Sequence, residues 1–290
     1  MKKIRNPDAD AEESFSRRKD RRKPKSKRSV KQLYAKPETP GDATFSDPSL
    51  ERLLERGFLN AVLGELKSGK EATVYLAEGP QGLLAAKVYS DLAVRSFRND
   101  TIYHQGRYVA DARIKKAIDQ RSLNGLQAQQ AMWVFEEYRQ LWELFDAGLP
   151  VPKPAVGPDS DDLIQSGHTV LMEFIGTRER AAPRLSDTRL PPDEAQAAWE
   201  QSLDILVKFL ELGKVHGDFS TYNLLWWQGR VVAIDFPQVV STKENSHAGM
   251  LLERDVISLC TTFKRHRIYA DPQEVLRSVK ARARTPAATL

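Results

Sequence analysis

Asp218, Asn223 and Asp235 are the residues whose types and spacing point most directly to chemistry. They stand in His216-Gly217-Asp218-Phe219-Ser220-Thr221-Tyr222-Asn223 and in Ala233-Ile234-Asp235-Phe236. An Asp, an Asn five positions on and a second Asp twelve beyond that match the spacing of a phosphoryl-transfer apparatus. That reaction needs a carboxylate beside the incoming hydroxyl and oxygen ligands for Mg²⁺ on the ATP phosphates. Asp218 suits the first task, orienting or deprotonating the hydroxyl. Asn223 and Asp235 suit the second, as metal ligands. Each residue alone is equally at home as a turn residue or strand-end cap; the ordered set is what points to catalysis.

Other residues fit the same nucleotide. Lys87 lies mid-strand in Ala85-Ala86-Lys87-Val88-Tyr89, where a lysine is buried only when paired. Its candidate partner is Glu137, on a helix face with Trp133, Leu141 and Leu144; Glu136 is one residue off that face and points elsewhere. A Lys–Glu pair would hold the α/β-phosphates. The alternative is an edge-strand lysine and a solvated glutamate. Gly64-Glu65-Leu66-Lys67-Ser68-Gly69-Lys70-Glu71 resembles a Walker A loop but ends in Glu, and a strand follows it instead of a helix. It reads either as a β-turn over the phosphates, with Ser68, Gly69 and Lys70 as contacts, or as an ordinary hairpin loop. Glu173 and Ile175 occupy the place where a backbone carbonyl and an N–H would meet adenine, or else a plain interlobe linker. His216, Cys260 and the pair Trp226-Trp227 read as packing residues.

The elements that must position these groups follow from pattern. Asp47 or Ser46 caps a short helix that Gly57 stops. Residues 71–77 and 83–89 are strands around a Gly79-Pro80-Gln81-Gly82 turn. Residues 95–130 read as loops and short helices. A helix spans 131–147, and Thr169–Ile175 is a buried strand, the third of its lobe. A helix over 193–213 buries Trp199, Leu203, Leu206 and Leu210. Residues 223–227 and 230–236 form a hairpin, and helices follow at about 248–264 and 272–284. The order is α+β, with β-rich residues 47–175 and α-rich residues 176–290, a bilobal arrangement with a cleft between.

Charge is uneven. Residues 1–36 hold fourteen Lys/Arg and five Asp/Glu, net +9, so the chain's +5 leaves −4 for the remainder. Residues 1–46 read as a disordered basic tail. Its densest block, 17–31, has ten Lys/Arg, one Asp and no aromatic residue. It therefore suits sequence-tolerant electrostatic contact with RNA or a ribosomal particle, or simple solvation. No apolar run is long enough to span a membrane, and one cysteine fits a reducing cytoplasm.

Ser68–Ala72, Ala86–Tyr89, Ser96–Asn99, Trp133 with Glu137-Tyr138-Arg139, Ala147–Pro152, Val170–Gly176, His216–Asn223, Ile234–Gln238 and Leu252–Val256 together resemble the RIO atypical protein kinases, most closely the Rio1 branch. The resemblance spans roughly residues 50–265. It implies a trimmed bilobal protein-kinase-like fold that binds ATP and Mg²⁺ and phosphorylates serine. It also implies the loss of the activation loop and peptide-docking helices; Arg254 follows Asp235 by only 19 positions. In that family the residue matching Asp235 can accept phosphate, and ATPase-like turnover is linked to small-subunit ribosome maturation. Ser220 stands where ordinary kinases carry a lysine. Two other readings compete. One is an aminoglycoside-type phosphotransferase, which usually has His-Pro-Gly where this chain has Ser220-Thr221-Tyr222. The other is a nucleotide-gated RNA- or ribosome-binding scaffold.

Overall fold

The computed structural model describes residues 47–69, 72–89, 123–157 and 169–284. Lys70, Ser96–Asn99 and the basic segment 17–31 lie outside the described residues, and so does the side chain of Trp133.

Asp47 caps the first helix, α1 (Pro48–Glu55), by accepting the Ser49 N–H at 2.8 Å, with Pro48 in the first turn, where it forgoes no hydrogen bond. Gly57, at φ +74°, follows its end. Next come β1 (Ala61–Ser68), β2 (Ala72–Gly79) and β3 (Gly82–Tyr89), and later β4 (Thr169–Glu173). The four make one antiparallel sheet in the order β1-β2-β3-β4. The Thr169 strand is therefore the fourth of its lobe, not the third. The pattern had hidden β1: its ladder shifts register between Val62 and Gly64 and again between Glu65 and Lys67. Such bulges break the alternation of faces that marks a strand.

Across the sheet lies α2 (Leu123–Asp146), which begins eight residues before the expected 131. Its first turns, Leu-Asn-Gly-Leu-Gln-Ala-Gln-Gln, are polar, so they show no apolar stripe, although Leu, Gln and Ala favour helix. Further along, α2 buries Val134, Glu137, Tyr138, Leu141 and Leu144. The Tyr138 hydroxyl donates to the Leu171 carbonyl at 3.3 Å and accepts the Leu171 N–H, locking the helix to β4.

Two short strands, β5 (Gly176–Thr177) and β6 (Arg180–Ala181), lead into α3 (Pro192–Glu211). Beyond it are β7 (Lys214–Val215), the hairpin β8 (Leu224–Trp227) and β9 (Arg230–Ala233), and β10 (Val240–Ser241), which pairs with β7. Gln228 and Gly229 turn the hairpin at φ 50° and 76°, the left-handed pair that a tight turn between twisted strands requires. Helices α4 (Ala248–Phe263) and α5 (Pro272–Arg284) close the C-terminal part. The buried side of α3 differs from expectation. Trp199 and Leu206 are buried, but Leu203 and Leu210 are only partly so, while Ala198, Ser202, Ile205 and Phe209 face the core. Helix α3 packs on β7, β9 and α5 together, so its buried face is wider than one apolar stripe.

Gly176, at φ +149°, sits where a Cβ would come within 2.5 Å of the Arg180 carbonyl oxygen. Gly213, at φ +68°, would meet only the Thr242 hydroxyl, at 3.5 Å. Gly176→Ala combines backbone strain with overpacking and is expected to cost about 2–4 kcal/mol, against about 1 for Gly213→Ala. Urea denaturation checks this, and equal midpoints for the two variants would contradict it.

Candidate active site

Lys87 is the meeting point of the two halves. In β3 it pairs with Val74 of β2 and Val170 of β4, so it sits in the interior of the sheet and not on an edge. Its ammonium donates to Glu137 Oε1 at 2.8 Å and to Asp235 Oδ1 at 2.6 Å. It also lies 5.0 Å from the centre of the Tyr89 ring, and the Tyr89 hydroxyl donates to Glu137 Oε2. Burial alone would depress the lysine, but Asp235 and Glu137 outweigh it and hold its pKa well above the usual value. Burial likewise opposes the Asp235 charge, and the Lys87 ammonium reverses that, so the carboxyl stays below its ordinary pKa. Glu136, off the buried face, bonds instead to Arg139 and Gln140.

Asn223 and Asp235 stand at the open end of the β8–β9 hairpin. Leu224 pairs with Ala233, and the Ile234 N–H donates to the Asn223 carbonyl at 3.0 Å. The Asn223 amide donates to the Asp218 carbonyl at 2.9 Å and to Asp218 Oδ2 at 3.0 Å. Burial and the nearby Asp235 charge raise the Asp218 pKa, partly offset by that amide bond. Asp235 adopts φ +76°, a conformation costly for a residue with a Cβ; such strain persists only where the surroundings impose it.

The loop carrying Asp218 is anchored from below. Asp255 of α4 accepts the Gly217 N–H at 2.8 Å and the Phe219 N–H at 2.9 Å, while Arg254 donates to the Gly217 carbonyl. His216 is fully buried among Phe209, Phe219 and Phe236 and accepts the Asp218 N–H on Nδ1 at 3.3 Å. Burial pushes it down to about 4. Asp255 moves the other way, raised to about 7 by burial in spite of its two N–H donors. Asp255 carries no chemistry of its own; the sequence had marked it only as part of the Leu252–Val256 motif, with no role assigned. The available signal was a carboxylate at a core position of an apolar helix.

Lys87, Glu137, Asp218, Asn223 and Asp235 thus form one cluster. Ser68 and Gly69 lie at the tip of the β1–β2 hairpin: the Ser68 and Thr73 hydroxyls are 3.3 Å apart, and the Gly69 N–H donates to the Ala72 carbonyl. At the start of the link to the helical half, Glu173 donates its N–H to Lys153 and Ile175 accepts from Ala182. Among the described residues no hydrogen bond joins Ser68, Gly69, Glu173 or Ile175 to the cluster. Cys260 is buried in α4 and raised to about 11 by burial, as a packing thiol is.

A lysine clamped to a helix glutamate, facing an Asp–Asn loop and a second Asp across an α+β cleft, defines the protein-kinase-like class. Within it, the chain belongs to the RIO domain family, whose sequence model matches residues 73–275. The chain is 31% identical over 231 residues to the RIO-type serine/threonine-protein kinase Rio1 of Haloferax volcanii, covering 79% of this chain and 72% of that protein. It is 30% identical over 207 residues to serine/threonine-protein kinase RIO1 of Caenorhabditis elegans, covering 71% and 38%. Against serine/threonine-protein kinase rio2 of Schizosaccharomyces pombe the figures are 29% over 225 residues, covering 76% and 57%. The chain therefore spans less than two thirds of either eukaryotic relative.

His216 and Asp255 give opposite dependences on pH. The unfolded chain protonates His216 near 6.5 and the folded one only near 4, so stability falls as pH drops through that window. The folded chain keeps the Asp255 proton up to about 7, whereas the unfolded one loses it near 3.8, so stability falls as pH rises between them. Relative to wild type, His216→Phe should gain about 3 kcal/mol on going from pH 6.5 to 4. Asp255→Asn should gain a similar amount on going from pH 4 to 7. Urea midpoints across pH measure both, and curves parallel to wild type would refute the assignment.

Proposed function

We propose that the chain is a Mg²⁺-dependent phosphotransferase that moves the γ-phosphate of ATP to a protein serine, its own included, in the manner of a non-specific serine/threonine kinase working in the cytoplasm. The observation that carries this reading is the Lys87 ammonium, shared between Glu137 and Asp235 and facing the Asp218–Asn223 pair. The donors suit magnesium: one carboxylate and one amide oxygen leave room for phosphate oxygens and water, as this cation prefers. Among the described residues no cluster of three or more His, Cys, Asp or Glu forms a self-sufficient metal cage, and the reading does not need one. Bound MgATP supplies the phosphoryl group and its activation. Lys87, held in place by Glu137, neutralises phosphate charge, and Asn223 with Asp235 ligates the metal. Ser68, Gly69 and Lys70 close over the phosphates, while the backbone of Glu173 and Ile175 holds the adenine edge. Asn223 ties up one Asp218 oxygen and so fixes the plane of that carboxylate, whose raised pKa suits it to take a hydroxyl proton.

The aminoglycoside-type alternative is not favoured, since the relatives at this level of identity bear protein-kinase names. No helix among the described residues is long and apolar enough to cross a membrane. For residues 17–31 we propose a sequence-tolerant RNA contact. If it neutralises about five phosphates of a single strand, log K falls against log salt with a slope near −3.5. Deleting residues 1–36 should flatten that slope in fluorescence anisotropy; unaltered RNA affinity would return the tail to a solvated appendage.

The roles of the two aspartates separate by experiment. Asp218→Asn should abolish transfer, a loss of at least about 10²-fold, and spare MgATP binding. Asp235→Asn should weaken binding with Mg²⁺ more than without it. Titration of a fluorescent ATP analogue with and without Mg²⁺ reads this directly. The assignment fails if both variants keep the same metal dependence.

A further inference from the structure

The loop between Asp218 and Asn223 reads Phe219-Ser220-Thr221-Tyr222 and carries no cation. Lys87 is already committed to two carboxylates. Beyond Mg²⁺, Lys87 and the Lys70 of the proposed loop, a terminal phosphate entering this cleft gains from further positive charge, and two residues outside the cluster are placed to give it.

Lys67 is the penultimate residue of β1, beside the Ser68–Gly69 tip. The register shift between Glu65 and Lys67 breaks the alternation of side chains there. Arg184 lies in the extended segment ahead of α3. It bridges Leu225 of β8, the Leu185 N–H donates to the Leu224 carbonyl at 2.9 Å, and the Ser186 N–H donates to the Thr221 carbonyl at 3.0 Å. Its segment is therefore pinned to the Asp218 loop and to the hairpin that begins at Asn223. The two cations come from opposite halves, yet each lies close enough to Asp235 to alter its surroundings electrostatically, and Arg184 repels Lys67. Partial burial and that repulsion, ahead of the attraction of Asp235 and Asp187, lower the Lys67 pKa. Among the described residues neither Lys67 nor Arg184 forms an ion pair or a side-chain hydrogen bond. Two like charges on opposite halves, both within electrostatic reach of Asp235 and in no ion pair among the described residues, suit a multivalent anion.

We propose that Lys67 and Arg184 form a second cationic clamp, acting across the cleft mouth on the terminal phosphate of the nucleotide. The proposal rests on the phosphotransferase reading and names the groups that replace the absent loop cation. The clamp distinguishes ATP from ADP, because only ATP extends a third phosphate beyond the reach of Lys87. Phosphate or acidic groups on the protein acceptor share the same chemistry, so the test separates the two sources.

The full chain and its Lys67→Gln, Arg184→Gln and doubly substituted variants are titrated with MgATP and with MgADP by calorimetry. Wild type should bind MgATP more tightly than MgADP. Each single variant should lose about tenfold in MgATP affinity, the double variant more, and MgADP affinity should stay within about twofold. Lys67→Arg, which keeps the charge, should retain the preference, and unshifted melting temperatures certify folding. The MgATP losses should shrink as salt rises. Variants that weaken both nucleotides equally, or neither, overturn the clamp. So does unchanged MgATP affinity with a raised KM for the protein acceptor, which would assign the cations to the acceptor instead. A wild type that binds neither nucleotide overturns the phosphotransferase reading itself.

Discussion

One buried ammonium holds the site together. Lys87 meets Glu137 and Asp235, residues 50 and 148 positions away in sequence, so a single side chain joins the sheet, the long helix and the C-terminal hairpin. A lysine that is 14% exposed, against a glutamate that is 2% exposed, is stable only while the charges stay matched, because removing either partner leaves a desolvated ion. Tyr89 adds its hydroxyl to the second oxygen of Glu137. The glutamate is thus satisfied on both oxygens and fixed in direction, and α2 is held to β3 by these polar contacts as Tyr138 holds it to β4. The cluster is a constraint on folding first and a binding site second: the lobes cannot separate far without uncovering it.

The loop from Gly217 to Tyr222 obeys a different constraint. Its backbone follows no helix or strand from Gly217 to Tyr222, so its amides need partners from outside. Asp255 takes two of them, His216 Nδ1 a third and the Thr262 hydroxyl a fourth, while Arg254 caps a carbonyl. Phe209, Phe219 and Phe236 wall off His216, which keeps it neutral at physiological pH and able to accept. Positive φ at Asp235 is tolerable in this frame, since the hairpin on one side and Lys87 on the other leave the residue little choice.

How far the sequence disclosed this depends on whether each signal was local. Helices α4 and α5, the Gln228-Gly229 turn and the α1 cap each follow from residues within a few positions of one another, and all were legible. Spacing also brought Asp218, Asn223 and Asp235 to notice, because one loop and one hairpin contain all three. Strand β1 escaped, since two bulges scramble its alternation. The first turns of α2 escaped because polar helix formers leave no stripe. The core side of α3 was misjudged because three neighbours bury it, a fact no single helix wheel contains. Asp255 and Tyr89 belong to the same class: their importance lies in what the fold brings to them. Lys87 and Glu137 were an inference from residue type, a lysine in an apolar strand and a glutamate on an apolar face, and the geometry joins them at 2.8 Å.

The two charged partners of Lys87 are unequal, and the inequality bears on function. Glu137 is almost wholly buried and bonded twice, so parting it from Lys87 would strand a charge in a low-dielectric setting. The Asp235 side chain is 43% exposed, and only its Oδ1 is bonded to Lys87. Solvent screens its bond to Lys87, and an incoming cation can replace the lysine there at modest cost. Lys87 then keeps Glu137 as its anchor and turns its remaining charge outward, toward the same anion that accompanies the cation. The ion pair across the cleft therefore works as a placeholder. It keeps both groups charged and aligned in the absence of ligand, and the more exposed member is the one free to exchange. A design with the burial reversed would anchor the carboxylate we propose as the metal ligand and loosen the helix, which would cost both the position of Lys87 and the closure of the cleft.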